Sequence, residues 1–312
     1  MTENTLYDTV IIGGGPAGLS AGIYAGRSAM KTAIIESIVA GGQIATTDEI
    51  ENYPGVKATT GPNLSEIMRE QAEGFGVEFV NDEAYEIAKT DEDTFKVTCY
   101  GATYEAKTLI YTAGATPRPA GFDGEEKYKG RGVSYCATCD ASFYKGKTVY
   151  VIGGGNSAVE EALYLTNFAD KVIVLVRKDH FRAPQSIVNK LVASDKVEVR
   201  FNTKVAAVDG QMLLTSITLE DTVTHEQHTE EYEMGSFGIF VFVGHNPVTE
   251  LIAPFVEIGS HGGILVEEQT MKTKTEGLYV AGDVREKKLR QVITAASDGA
   301  IAATSAYEYI NF

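Results

Sequence analysis

Three cysteines occur in the chain, and two of them stand in Val133-Ser134-Tyr135-Cys136-Ala137-Thr138-Cys139-Asp140. Two residues between the sulfurs suit a reversible disulfide closed within one turn of backbone, and such motifs lower a thiol's pKa enough for it to attack other disulfides. Asp140, directly after the second cysteine, places an acid beside the pair, where it could move a proton or cap the following turn, Ala141-Ser142-Phe143. Zinc would need four ligands, usually two such pairs; of the five histidines only His225 and His228 stand close, at a spacing unlike H-x₃₋₅-H. A static structural disulfide belongs to an oxidising compartment, of which the sequence gives no sign. Redox exchange between Cys136 and Cys139 is therefore the leading chemistry. Cys99 alternates with Phe95 and Val97 among polar residues, the pattern of a strand with a buried face, and is expected to be an inert core residue.

Such a pair needs an electron source, and two similar segments flank it. Tyr7–Ile12 is a short β-branched run that ends in Gly13-Gly14-Gly15-Pro16-Ala17-Gly18 and continues into a helical pattern. Gly13, Gly15 and Gly18 fit G-x-G-x-x-G: the first permits the turn, the second lets a pyrophosphate approach the backbone, the third lets helix pack on strand. A second strand, Thr32–Glu36, ends on an acid about twenty residues further on, where a carboxylate accepts hydrogen bonds from ribose hydroxyls. Past the cysteines the pattern returns: Val149–Ile152, then Gly153-Gly154-Gly155-Asn156-Ser157-Ala158, a helix expected over Val159–Phe168, and the strand Lys171–Val176. Superposing Gly13 on Gly153 carries Glu36 onto Val176, so the acid is gone. Arg177, Lys178 and Arg182 stand nearby instead, the positive charge that a 2′-phosphate requires, which suits NADP(H).

The remaining segments frame these units. Ser37–Asn63 is a long irregular stretch with Gly41-Gly42-Gln43-Ile44 and Glu51-Asn52-Tyr53-Pro54-Gly55, and its length predicts a functional loop. A helix is expected over Leu64–Glu73, then short strands to about Ile110. The prolines Pro117 and Pro119, and later Pro247 after the strand Ile239–Val243, break regular structure and mark domain boundaries. The tail carries a strand ending at Gly282-Asp283, then Arg290-Gln291 opening an Ala-rich helix over Ile293–Tyr309. An acid there can bind a polyol or cap a turn, while the helix's free N–H groups can face an electron-rich ring oxygen.

At 312 residues, 44% hydrophobic and 22% charged, the chain has the size for two domains and the composition of a soluble globular protein. The opening Met1-Thr2-Glu3-Asn4-Thr5 has no basic n-region and no apolar run is long enough to span a bilayer, so neither signal peptide nor membrane anchor is expected, and a cytoplasmic location is. A formal net charge of −16 disfavours nucleic acid and anionic lipid as main partners.

Over its whole length the chain resembles the low-molecular-weight, bacterial-type thioredoxin reductases. The resemblance rests on Cys136-Ala137-Thr138-Cys139-Asp140 between two dinucleotide motifs, the Gly41-Gly42-Gln43 loop, and Ala281-Gly282-Asp283 with Arg290-Gln291. It implies an α/β fold of two Rossmann-like dinucleotide-binding domains, the second inserted into the first: a discontinuous FAD domain (1–115 and 248–312) and an NADPH and redox-disulfide domain (116–247). FAD would be held by Gly13, Gly15, Pro16, Ala17, Gly18, Glu36, Gly41, Gly42, Gln43, Asn52, Gly282, Asp283, Arg290 and Gln291. NADPH would be held by Gly153, Gly155, Asn156, Ser157, Arg177, Lys178 and Arg182. Electrons would pass from NADPH through FAD and the Cys136–Cys139 disulfide to thioredoxin or a similar small dithiol protein. Cys139 would meet the flavin, Cys136 would attack the partner, Asp140 would manage the proton, and the protein would be a homodimer. The alternatives are a disulfide reductase of the same fold fed by ferredoxin, flavodoxin or NADH, and a non-catalytic nucleotide-binding regulator with a structural Cys-x-x-Cys. One departure stands out: the family usually ends its second strand in His-Arg-Arg, and here Val176-Arg177-Lys178 keeps the sign of charge but weakens bidentate contact, an ammonium replacing one guanidinium. Because cysteines and nicotinamide site would share one flavin and the cysteines must later face a protein, the inserted domain is expected to turn on connections near Ala115–Ala120 and Gly244–Val248.

Overall fold

The computed structural model describes residues 6–37, 41–47 (Thr46 by its backbone), 50 and 52–312. The opening pentapeptide and Glu51 of the predicted functional loop lie outside the described residues. The chain begins with strand β1 (Leu6–Ile12), helix α1 (Pro16–Arg27) and strand β2 (Thr32–Glu36). A 3-10 turn over Gly42–Thr46 leads to helix α2 (Gly61–Gly74), then β3 (Glu78–Asn81), β4 (Ala84–Lys89), β5 (Phe95–Cys99), β6 (Thr103–Tyr111) and a connecting strand β7 (Ala115–Pro117). Next come β8 (Val133–Ser134), the single-turn helix α3 (Ala137–Asp140), β9 (Thr148–Ile152), α4 (Asn156–Leu165), β10 (Lys171–Val176), α5 (Gln185–Val192) and β11 (Val197–Phe201). Strands β12 (Thr203–Gly210), β13 (Leu214–Asp221), β14 (Gln227–Glu231) and β15 (Phe237–Val241) follow, then a second connecting strand β16 (His245–Pro247), β17 (Leu278–Val280) and the terminal helix α6 (Val292–Asn311).

These elements form two compact units, Met1–Thr116 with Asn246–Phe312, and Pro117–His245. The chain thus crosses at Thr116–Pro117 and His245–Asn246, where the sequence placed the breaks at 115/116 and 247/248. β7 and β16, which carry the two crossings, pair as a two-stranded sheet.

In the first unit β3-β2-β1-β6 is a parallel sheet. Its inner strands are near-continuous apolar runs because helices and strands cover both faces. Ile11, Ile34 and Ile110 point to the face covered by α1 and α6, and Val10, Ile12 and Leu109 to the other, with Phe95 and Val97 of β5. β6 serves two neighbours along one edge: Thr103–Ala106 pairs antiparallel with β5, while Leu109–Tyr111 pairs parallel with β17 from the chain's far end. Cys99 lies in this core, and burial, with the charge of Asp82, pushes its thiol up to about 11. At neutral pH it is an inert thiol, as its alternation predicts.

The second unit centres on a parallel sheet in the order β11-β10-β9-β15-β8. One face packs on α4 and α5, the other on an antiparallel sheet β12-β13-β14. Helices depart from the predicted bounds at their starts. α2 begins at Gly61 because Thr60 Oγ1 accepts the Asn63 N–H at 3.3 Å and Pro62 occupies the first turn, where its missing N–H costs nothing. α4 starts at Asn156 directly from the glycine turn and ends at Leu165, not Phe168. The strand expected over Ile239–Val243 runs over Phe237–Val241.

A polar network ties the two sheets of this unit. The Tyr150 hydroxyl, on a side chain wholly buried, donates to Glu230 Oε2 at 2.7 Å with the Tyr232 hydroxyl also 2.7 Å away. Glu230 pairs with Arg200, which pairs with Glu198 at 2.5 Å. Removing a buried donor to a charged acceptor costs about 1.5–3 kcal/mol. Tyr150→Phe is expected to lower the unfolding free energy by that amount, read as a lower urea midpoint at unchanged slope; a midpoint equal to that of the parent would show the network to be dispensable.

Candidate active site

Two atoms define the reactive turn. Cys136 and Cys139 form a disulfide with Cα atoms 5.4 Å apart, within the range a relaxed bridge spans. Cys136 sits at the N-cap of α3, and its Sγ accepts the Cys139 backbone N–H at 3.2 Å. The Thr138 hydroxyl lies 3.3 Å from the same sulfur; a disulfide sulfur carries no proton, so the hydroxyl is the donor. Both donors would stabilise charge on Cys136 once the bridge opens. Thr138 was missed by sequence reasoning, although it stands inside the motif. Upstream, Ser134 Oγ accepts the Cys136 N–H at 3.1 Å, fixing the turn to the end of β8. Asp140 does not cap: at the start of the 3-10 turn Ala141–Tyr144 its side chain makes no cap hydrogen bond. Its charge reaches Tyr144, whose phenol is pushed up to about 12, mostly by burial. Gly238 makes room for that ring, since a Cβ there would lie 2.1 Å from Tyr144 Cε1.

The first glycine turn shows why Gly13 and Gly18 are required. A Cβ at Gly18 would lie 1.9 Å from the Gly13 carbonyl oxygen, and Gly13 itself holds φ +106 with no room beside Thr112 O. Thr112, unnoticed in the sequence, closes the turn by donating its hydroxyl to the Ile12 and Gly13 carbonyls at 2.9 and 2.8 Å. Gly15 caps α1 with Pro16 in the first turn, leaving the helix N–H groups to face outward. Glu36 Oε2 accepts the Gly14 N–H at 2.7 Å, which sets the carboxylate at the mouth of the turn. The predicted loop joins here: Gly41 N–H donates to Gly14 O at 2.7 Å, Gly42 Cα lies 3.9 Å from where a Gly15 Cβ would be, and Gln43 Nε2 reaches Ala115 O at 2.5 Å.

The tail comes back to the same turn. Gly282 holds φ +84 and a Cβ on it would approach Ala17 Cβ to 2.9 Å, so β17 delivers Asp283 beside the start of α1. Asp283 Oδ1 is buried without a hydrogen-bond partner, and burial raises its carboxyl above the usual range, against the pull of Lys287 and Arg290. A turn cap would have satisfied that oxygen; no donor for it stands among the described residues. Arg290 Nε contacts Asp283 O at 3.5 Å, and Asn52 Nδ2 donates to Gln291 Oε1 at 2.9 Å at the N-cap of α6. Beneath them Asp298, buried in α6, accepts the Gly282 N–H at 3.1 Å, both arms of Arg285 at 2.8 and 3.0 Å, and Lys287 at 2.6 Å. No local pattern marks Asp298 in the sequence, because its partners belong to a loop and not to its own helix.

The second unit repeats the turn with a different charge. Gly153 holds φ +149, and a Cβ on it would meet Phe242 O at 2.4 Å; around Gly155, which caps α4, there is open space. A pocket here is lined by Gly155, Asn156, Ser157 and Ala158, by Arg182, by Val241–His245, and by Pro117 and Tyr135. Arg182 N–H donates to Gly154 O at 2.7 Å, which fastens its segment to the turn. Arg177, Lys178 and Arg182 are exposed, and none forms an ion pair with a carboxylate among the described residues. Of the three predicted cations only Arg182 lines this pocket, whereas Arg177 and Lys178 follow the end of β10 outside its lining.

A family model described as pyridine nucleotide-disulphide oxidoreductase matches residues 7–299. The chain is 45% identical over 310 residues to a thioredoxin reductase of Peptoclostridium acidaminophilum, covering 98% of this chain and 97% of that one. It is 41% identical over 314 residues to the thioredoxin reductase of Bacillus subtilis, covering 99% and 96%. Among solved structures, Lactococcus lactis thioredoxin reductase in its FR conformation aligns with a TM-score of 0.92 at 39% identity, over 97% of this chain and 99% of that chain. Thioredoxin reductases at this identity and coverage, with a Cys136–Cys139 bridge between two glycine turns, leave one conclusion: the chain belongs to the pyridine nucleotide-disulphide oxidoreductases and, within them, to the bacterial-type thioredoxin reductases.

Proposed function

We propose that the chain binds FAD on its first unit and NADPH on its second, and reduces thioredoxin or a similar small dithiol protein through Cys136 and Cys139 as a cytoplasmic homodimer. The observation that carries the reading is the shared housing of the bridge and the second glycine turn in one contiguous unit, with two hydrogen-bond donors aimed at Cys136 Sγ.

The residues present fit both cofactors. Asp283 Oδ1, buried and unpartnered, suits a polyol hydroxyl. Gly13, Gly15, Pro16, Ala17 and Gly18 would receive a pyrophosphate at the N-terminus of α1, Glu36 a ribose, and Gly41, Gly42, Gln43, Asn52, Gly282, Arg290 and Gln291 the rest of FAD. The open side of Gly155, with Gly153, Asn156 and Ser157, would take the NADPH pyrophosphate, and Arg177, Lys178 and Arg182 the 2′-phosphate. Bound there, the two cofactors would supply hydride and two-electron chemistry.

The protein's part is the thiol exchange. In the reduced pair the Cys136 thiolate, steadied by the Cys139 N–H and the Thr138 hydroxyl, attacks one sulfur of the partner disulfide and releases the other as a thiolate. Cys139 then attacks Cys136 Sγ, re-forming the bridge and freeing the second partner sulfur. Two electrons leave with the partner, and each released thiolate takes a proton, for which Asp140 is the nearest acid in sequence.

The deciding experiment is steady-state thioredoxin reduction with NADPH, NADH or reduced ferredoxin as donor. NADPH is expected to be preferred, and Cys136→Ser and Cys139→Ser each to abolish turnover; full activity of either variant, or turnover with ferredoxin alone, would defeat the reading. Asp283 gives a second check. Its folded carboxyl titrates above the unfolded value, so ionisation opposes folding increasingly as pH rises towards that folded value, and no such penalty exists at pH below the unfolded one. Asp283→Asn should therefore raise the melting temperature of the flavin-free protein at neutral pH, and the gain should disappear as pH falls below the ordinary carboxylate range. It should also weaken FAD binding about 10- to 100-fold, the loss of a hydrogen bond to a charged acceptor. A less stable apoprotein with unchanged flavin affinity would place the carboxylate in a structural role.

A further inference from the structure

Tyr135 directly precedes Cys136 and lines the pocket beside Gly155. Its hydroxyl donates to Glu125 Oε1 at 2.6 Å. Glu125 is 5% exposed, and both oxygens of its carboxylate are engaged: Oε1 also accepts the Ala120 N–H at 2.8 Å, and Oε2 accepts the Gly121 N–H at 2.6 Å. Lys129 Nζ stands 5.6 Å from the centre of the tyrosine ring. A ring at the edge of a pocket, clamped by a buried carboxylate that is itself held by two backbone amides, is a preorganised surface and not a spare core residue.

Topology says which part of a nucleotide that surface would meet. A dinucleotide lies across the carboxyl ends of the strands, with its halves on either side of the first strand. Here β9 is that strand; β10 lies on one side and ends at Val176, before Arg177 and Lys178. On the other side lie β15 and then β8, parallel to it, and Tyr135 follows Ser134 at the carboxyl end of β8. The cationic cluster and Tyr135 thus flank opposite halves of the pocket's strand edge.

We propose that Tyr135, positioned by Glu125, is the wall on which the nicotinamide half of NADP(H) packs, and so a determinant of nucleotide affinity that stands one residue from the redox pair. The proposal rests on the reading of this pocket as the NADPH site. It does not involve the adenosine 2′-phosphate, which the arginines would hold.

The test is calorimetric titration of the flavin-loaded enzyme with NADP⁺ and with 2′,5′-ADP, which lacks the nicotinamide half. Tyr135→Leu, which keeps bulk without a ring, is expected to weaken NADP⁺ about ten-fold and to leave 2′,5′-ADP unchanged. Tyr135→Phe keeps the ring but releases it from Glu125; a loss of about three-fold is expected, the cost of ordering one freed side chain on binding, again for NADP⁺ alone. Glu125→Gln should match Tyr135→Phe, and Arg177→Ala should weaken both ligands. Unchanged NADP⁺ affinity in the Tyr135 variants while Arg177→Ala weakens it would overturn the role of Tyr135 and leave the NADPH reading standing, as would an equal loss for both ligands. Failure of the unmodified enzyme to bind either ligand would overturn the NADPH reading itself. If Tyr135→Leu loses the native circular dichroism, Tyr135→Phe alone decides: equal affinity for NADP⁺ in it and the parent refutes the proposal.

Discussion

Both halves of the molecule depend on one steric constraint, a glycine turn between strand and helix where neighbouring backbone leaves no room for a side chain. At Gly18 the nearest oxygen would stand 1.9 Å from a Cβ, and at Gly153 a Cβ would stand 2.4 Å from Phe242 O. The first N–H groups of α1 and α4, which like those of any helix lack intrahelical partners, open at the mouth of each turn. Everything that follows in each unit serves that mouth. In the first unit β2 ends there on Glu36, and a loop and the returning tail bring Gly41, Gly42 and Asp283; in the second, Arg182 and the residue before the cysteine turn, Tyr135, line it.

The two mouths differ in charge for a physical reason. The first is edged by an acid at the end of β2 and by a buried, unsatisfied carboxylate, which suits neutral hydroxyl groups and would repel an extra phosphate. The second is edged by exposed cations in a protein of formal net charge −16, so a local field opposes the overall one and favours an anionic ligand at that place. The reactive turn uses the same economy of donors on a smaller scale, with one backbone N–H and one hydroxyl on a single sulfur.

Much of this was legible in the sequence because it is local. Three glycines at fixed spacing, the strand before them, the acid at the end of Thr32–Glu36, and two cysteines two residues apart all lie within short windows, and their physical demands concern neighbours in the chain. What stayed hidden joins distant residues. Nothing near Asp298 shows that Arg285, Lys287 and the Gly282 amide converge on it, and nothing near Glu125 shows that Tyr135 will be its partner. Thr112 closes a turn built from Gly13, on a strand whose pairing could not be inferred from either segment alone. Asp140 is the opposite case: local chemistry allowed a cap beside a role in proton transfer, and the observed turn begins without a side-chain cap, its backbone continuing directly from α3. Helix starts were placed late for a related reason. Apolar periodicity begins only where a helix meets the core, whereas α2 and α4 begin a few residues earlier, at a capping threonine and at a glycine turn.

The pairing of β17 with β6 has a consequence for how the protein comes to exist. The second unit is contiguous, and a chain made from its N-terminus can complete that unit while the tail is still being synthesised. The first unit cannot close in that interval, because the edge of β6 at Leu109–Tyr111 waits for Leu278–Val280. During synthesis a finished domain therefore hangs within an unfinished one, whose open apolar strand edge is the natural recognition site for a folding helper and the natural starting point for misassembly.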